Sequence, residues 1–177
     1  MADDRRSLLP RPAWRDPLGA TDPAMPRCPP MRWHDRSFAE LTIFELYAIV
    51  TLRERVFIVE QRCAYLDADG LDPRSRHLWA TDGEAEHAAL RAYLRIVPAG
   101  AKFAELSIGR VITAPEARGT GLGRELMRRG IAACGAVPIR IGAQAHLERF
   151  YRELGFVVAS APYDEDGIPH VDMLRQP

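Results

Sequence analysis

The chain has 177 residues, room for one domain and a tail, and its 24 basic and 24 acidic residues cancel to zero formal net charge. The basic side is almost entirely Arg, with Lys102 as its single lysine, but no long Arg run marks a nucleic-acid footprint, and no stretch of about 18 apolar residues marks a membrane span. Three cysteines, Cys28, Cys63 and Cys134, lie far apart without a CxxC pair, which argues against a disulfide framework or a Cys-based zinc site and favours a reducing cytoplasm.

Residues 1–30 hold 7 of the 14 prolines together with scattered Arg and Asp, and no continuous apolar core of a secretory signal. By composition this is an extended or disordered tail, with Trp14 as its natural anchor and Met31 as a second candidate start. Residues 31–34 alternate like a short strand. Thr42 and Glu45 form a capping box, and Ile43, Leu46, Tyr47 and Val50 recur at helical spacing, so a helix is expected to about Phe57. Residues 63–73 read as an Asp-rich loop. Strands over 77–81 and 86–97 flank the turn signal Asp82-Gly83, and a third runs over 105–113.

An amphipathic helix is then expected from Leu122 to about Cys134, with Leu122, Leu126, Met127, Ile131 and Cys134 inside and Gly135 stopping it. A strand follows over 137–143. Leu147, Phe150, Tyr151 and Leu154 form one face of a further helix closed by Gly155, and strands over 156–161 and 168–174 complete the chain. This order implies an α/β domain with a mixed sheet and a right-handed βαβ crossover.

The segment Arg118-Gly119-Thr120-Gly121-Leu122-Gly123-Arg124 joins a strand to a helix. Small residues there let the backbone approach a ligand, and the open amides of a helix N-terminus favour phosphate. The Gly-Lys-Ser/Thr of a P-loop is absent, and the last glycine of the dinucleotide fingerprint is replaced by Arg124 or Leu126. The spacing Arg118-x-x-Gly121-x-Gly123 resembles the pyrophosphate loop of the GNAT superfamily of N-acetyltransferases, and Phe150-Tyr151 with Gly155-Phe156 resembles its second core motif. Arg53, the segment 56–61, Cys63, Tyr65, the segment 142–147 and Glu165-Asp166-Gly167-Ile168-Pro169-His170 resemble the ElaA-like branch. The resemblance covers about residues 31–175, and the tail departs from it. The expected division is therefore a proline-rich extension over 1–30 and a GNAT domain over 31–177. The implied fold is a mixed, mostly antiparallel sheet with flanking helices and the right-handed βαβ unit at the acyl-CoA site.

The resemblance also implies an acetyl-CoA co-substrate, no metal, and a primary-amine acceptor on a small molecule or peptide, attacked directly in a ternary complex. The backbone of Val111, Ile112 and Thr113 is expected to take the pantetheine arm, the amides of Gly119, Thr120, Gly121, Leu122, Gly123 and Arg124 the pyrophosphate, and Gln144 a pantetheine contact. Tyr151 aligns with the general acid for the departing thiolate; its other reading is a core tyrosine on an apolar stripe. An ammonium with a pKa of about 10.4 must lose a proton before attacking. Glu105, 13 residues ahead of Arg118, is the expected base or else a solvated carboxylate, with His146 and His77 as substitutes. Asp67, Asp69 and Asp72 break the calcium-loop order, and Leu78 stands where the loop's Glu belongs. These aspartates, with Glu165 and Asp166, either line the acceptor site and favour a cationic substrate or are carboxylates of a solvated acidic turn. Cys63 is a reactive thiol or an inert buried one. A rival reading is a non-catalytic acyl-CoA sensor, and a third role gives the tail homodimer contacts.

Overall fold

The computed structural model describes residues 31–83 and 88–177. The proline-rich segment, Trp14 and the expected start of a strand at Glu86 lie outside the described residues. The strands are β1 Met31–Ser37, β2 Arg76–Asp82, β3 Leu90–Val97, β4 Leu106–Thr113, β5 Ile139–Gln144, β6 Val157–Val158, β7 Tyr163–Glu165 and β8 Ile168–Arg175. They form one sheet in the order β1-β2-β3-β4-β5-β8-β6, with β7 paired to β8. Among the described residues β4 and β5 are its parallel neighbours and the other pairs are antiparallel. The helices are α1 Ile43–Arg53, α2 Leu122–Cys134 and α3 Glu148–Arg152. None of the described helices is long and apolar enough to cross a membrane.

Both faces of the central strands are covered, which is why β2 and β3 carry near-continuous apolar runs. Leu78, Ala80, Ala92, Leu94 and Ile96 face α2 and α3, while Trp79 and Tyr93 point the other way against Ile49, Leu52 and Val56. α2 lies so close to the sheet that a Cβ on Gly130 would stand 2.6 Å from Leu94 Cδ2. The expected inner face of α2 holds at Leu122, Leu126 and Met127, and Gly130 joins it.

Several boundaries differ from expectation. Residues 163–165, read as part of a connection, pair with β8, and the strand expected over 156–161 shortens to two residues. In the expected helix around Tyr151, residues Ala145–Leu147 form a 3₁₀ turn before α3. α1 ends at Arg53 and continues as a π-helical segment, Glu54–Glu60. Its buried face is not the stripe read from spacing: Ile43 is 83% and Tyr47 75% exposed, whereas Ile49, Leu52 and Arg53 are buried. The helix is apolar around most of its circumference, so periodicity cannot choose a face, and Arg53 orients it instead.

Arg53 and Arg95 are 1% and 2% exposed. Arg53 Nε donates to Asp67 Oδ2 at 2.7 Å, and Arg53 Nη1 donates to both Asp72 oxygens at 2.9 Å. Arg95 Nη1 donates to Asp69 Oδ1 at 2.8 Å and Asp72 Oδ1 at 2.7 Å. Arg110 Nε stands 2.7 Å from Asp67 Oδ1. Three guanidinium groups thus neutralise Asp67, Asp69 and Asp72, and the loop is pinned to α1, β3 and β4. This corrects the expectation that these carboxylates offer charge to a substrate: their lone pairs are already taken.

Burial alone would raise the Asp69 pKa, but hydrogen bonds from Arg95 and the Leu71 amide, with the charges of Arg95 and Arg110, bring it down to about 2. A carboxyl depressed in the folded state adds stability above its unfolded value of about 3.9 and loses it as pH falls through the folded one. Thermal melts taken downward from about pH 6 should therefore lose Tm chiefly between about pH 4 and pH 2. Asp72→Asn, which leaves Arg53 and Arg95 short of a shared anion, should cost about 3–5 kcal/mol in denaturant unfolding.

Candidate active site

β4 and β5 pair only at Leu106–Ile139 and Ser107–Arg140, and beyond those two rungs they part. On its other side β4 slips register against β3 between Tyr93 and Arg95, and Arg110 at this bulge has φ +53. The gap opens a cleft of about 740 Å³ whose floor and walls include Gly109, Val111, Ile112 and Thr113 of β4 and Ile141, Gly142 and Gln144 of β5. An extended, peptide-like arm can add to β4 there as a strand would.

At the head of the cleft, Gly119 (φ +76) and Gly121 (φ +84) hold left-handed backbone that side chains resist. Gly123 permits close packing, since a Cβ there would meet Thr113 Oγ1 at 3.1 Å. Among the described residues, the amides of Gly119, Thr120, Gly121, Leu122 and Gly123 have no acceptor, whereas Arg118 before them donates to Pro115 O and Arg124 after them to Gly121 O. Five open N–H groups at the start of a 13-residue helix form an anion site. Thr120 differs from its neighbours, because it does not line the cleft and its hydroxyl donates to Ala117 O at 2.8 Å.

Tyr151 lines the same cleft from α3, held edge-on by Phe150 and Phe156 at 5.1 and 6.0 Å between ring centres. Burial raises its phenol to about 12, and its hydroxyl has no hydrogen-bond partner among the described residues. It is both a core ring and a free donor, so the two readings of this residue are not exclusive. Gln144 reaches across the cleft and donates to Gln61 Oε1 at 3.2 Å. Glu105 stands apart. It does not line the cleft, and Arg140 donates to both its oxygens at 2.8 and 2.7 Å, which holds its carboxyl at about 2. A carboxylate so held is a weak base. His77 is fully buried between Tyr93 Oη at 2.8 Å and Asp72 O at 3.1 Å, whereas His146 is exposed on the cleft wall.

Other cleft residues make contacts that the sequence reading did not foresee. Glu60, at the end of the π-helical segment, forms a two-pronged pair with Arg118 at 2.7 and 2.9 Å and so links the glycine loop to the opposite wall. The Arg110 guanidinium lies between the rings of Phe57 and Tyr65, 5.9 and 5.6 Å from their centres. Cys63 donates its thiol to Asp166 O at 3.2 Å, tying the segment after α1 to the β7–β8 turn. Glu165, Asp166 and His170 line the cleft beside that tie. The pairs Glu60–Arg118 and Cys63–Asp166 span 58 and 103 residues, beyond the reach of local patterning.

A profile described as "Acetyltransferase (GNAT) domain" matches residues 72–176, over half the chain. The chain belongs to this family. It is 39% identical over 154 residues to Protein ElaA of Escherichia coli, spanning 82% of this chain and 97% of that protein. The E. coli ElaA crystal structure superposes with TM-score 0.75 at 38% identity, covering 82% of this chain and 99% of that one. An acyl-CoA N-acyltransferase from Pseudomonas aeruginosa superposes with TM-score 0.76 at 40% identity and the same coverage. The mixed, mostly antiparallel sheet is thus the GNAT fold, and the family's general chemistry is transfer from an acyl-CoA donor to an amine. The open amides and the unpaired side of β4 are suited to an acyl-CoA's pyrophosphate and amide-bearing arm. Gly121→Asp puts a Cβ on left-handed backbone and an anion at those amides, so calorimetry should detect no CoA binding to that variant.

Proposed function

We propose that this protein transfers an acetyl group from acetyl-CoA to a primary amine, on a small molecule or a peptide, by direct attack in a ternary complex. One observation carries the reading: the parted β4 and β5 lead from five open amides at the α2 N-terminus to a free tyrosine hydroxyl in a single cleft. Acetyl-CoA, when bound, supplies the thioester carbonyl that the amine attacks. The amides of Gly119, Thr120, Gly121, Leu122 and Gly123 would hold its pyrophosphate, with Arg118 and Arg124 beside them. The backbone of Val111, Ile112 and Thr113 would order the pantetheine, and Gln144 would bound its path.

Tyr151 is assigned to the sulfur end. With its pKa raised to about 12 the phenol stays protonated throughout the neutral range, so it can donate to a developing thiolate whose own pKa is about 8.5. Glu105 takes a supporting role here, because its charge is committed to Arg140. Glu165 and Asp166 line the cleft beside His170, and their negative charge favours a cationic amine. The acetyltransferase domain spans 31–177 in this reading and works in the cytoplasm.

The test is thiol release from acetyl-CoA across polyamines, amino sugars, aminoglycosides, amino acids and peptides. Turnover with at least one cationic amine is expected. Binding of CoA without turnover on any acceptor would overturn the enzyme reading in favour of a sensor. On the best acceptor, Tyr151→Phe should lower kcat about 10²-fold with acetyl-CoA affinity unchanged in calorimetry.

A further inference from the structure

The geometry points to His170 as the group that takes the proton from the acceptor amine, a role resting on the amine-acetylation reading above. His170 lies on β8 and lines the cleft together with Tyr151. It is 9% exposed. Its Nδ1 is 2.8 Å from Ile168 O. A carbonyl oxygen only accepts, so Nδ1 carries the hydrogen and the neutral ring keeps its lone pair on Nε2. Among the described residues Nε2 makes no hydrogen bond; Glu165 Oε2 lies 3.8 Å from it, too far to be a hydrogen bond but close enough to attract the ring once charged. Tyr163 stacks on the imidazole at 6.0 Å between ring centres and fixes its plane. The other cleft candidates lack this preparation: Glu105 is clamped by Arg140 outside the lining, Glu60 is paired with Arg118, and no hydrogen bond to a described residue orients His146.

The charged and titratable groups around His170 come from three sides. Glu165 and Tyr163 face it from β7, Asp166 stands in the adjoining turn with Cys63 bonded to its carbonyl, and the neutral Gln144 is opposite on β5. In the step itself an alkylammonium gives one proton to His170 Nε2. The freed amine nitrogen bonds to the thioester carbon as the carbon–sulfur bond breaks. The second nitrogen proton ends on the sulfur, with Tyr151 donating at that atom, and His170 returns its proton to solvent. Reactants and products then balance as ammonium plus thioester giving amide, thiol and one proton.

His170→Asn keeps a side-chain N–H near Nδ1 for Ile168 O but removes Nε2. With the best acceptor, kcat should fall about 10²-fold, acetyl-CoA affinity should hold in calorimetry, and the acidic limb of the kcat/KM profile should disappear. Glu165 is exposed, so Glu165→Gln leaves folding intact; losing that anion should lower kcat/KM for a cationic amine. Nitrogen NMR of the unliganded protein, with the His170 signals assigned by their loss in His170→Asn, should show Nδ1 protonated and Nε2 bare in the neutral ring. A protonated Nε2, an undiminished kcat/KM in Glu165→Gln, or a limb abolished by His146→Asn but kept in His170→Asn would each overturn the assignment. Failure of the wild type on every acceptor is a different result: it removes the acetylation reading and the role of His170 with it.

Discussion

Two parallel strands that stop pairing leave backbone N–H and C=O groups facing each other without partners, and the rest of this molecule is arranged around that gap. Burying such groups unpaired would be costly, so the gap must be wet or filled by a ligand with its own amides. Here it lies between β4 and β5, which share two rungs and then diverge. On either side the pairing continues along the strands: β4 is held by β3, with one bulge at Arg110, and β5 by β8. The opening is therefore a local feature inside a rigid frame, and a frame of this kind can position reacting groups more closely than loops can.

Charge holds the gap open at both ends. At the paired end Arg140 on β5 grips Glu105, just before β4, and lies 3.7 Å from Asp172 on β8, so one guanidinium ties three consecutive segments of the sheet at the apex. On the cleft wall the neutral cluster of Arg53, Arg95 and Arg110 with Asp67, Asp69 and Asp72 fixes the loop after α1 and the bulge of β4. Buried clusters of this sort need not add net stability over an apolar core, but they specify one arrangement, because every partner must be in place at once. The π-helical turn beside it carries Phe57, Glu60 and Gln61 into the cleft.

What could be read from residue order alone follows from range. The capping box at Thr42, the amphipathic α2 and the left-handed glycines at 119 and 121 are local, and each lies in the structure where its pattern put it. Gln144 ends β5 and Tyr151 follows it at a fixed offset on α3, so both reach the cleft. The face of α1 was misread because apolar residues surround it and the deciding partner of Arg53 is an aspartate 14 positions away. Glu105 sits where a base was expected, but its function depends on Arg140, 35 positions downstream on another strand. His170 belongs to the 165–170 segment that resembles the ElaA-like branch, but no local pattern singled out its ring. Only the β7–β8 turn, with Asp166 and Gly167 both at positive φ, brings Glu165 and Tyr163 back over it.

In the proposed reaction the two ends of the cleft ask for different things from their acids and bases. At the sulfur end a donor must remain protonated while negative charge develops, and burial without any partner serves this for Tyr151 by disfavouring the phenolate. At the amine end an acceptor must start with a bare lone pair and tolerate a positive charge, and a carboxylate already saturated by an arginine does neither. An imidazole anchored through one nitrogen, with an anion near the other, meets both conditions. The acidic residues near the cleft divide along the same line: Asp67, Asp69 and Asp72, paired to arginine, build the wall, whereas in the proposed reaction the charge that would meet a cationic amine is that of Glu165 and Asp166 at the β7–β8 turn.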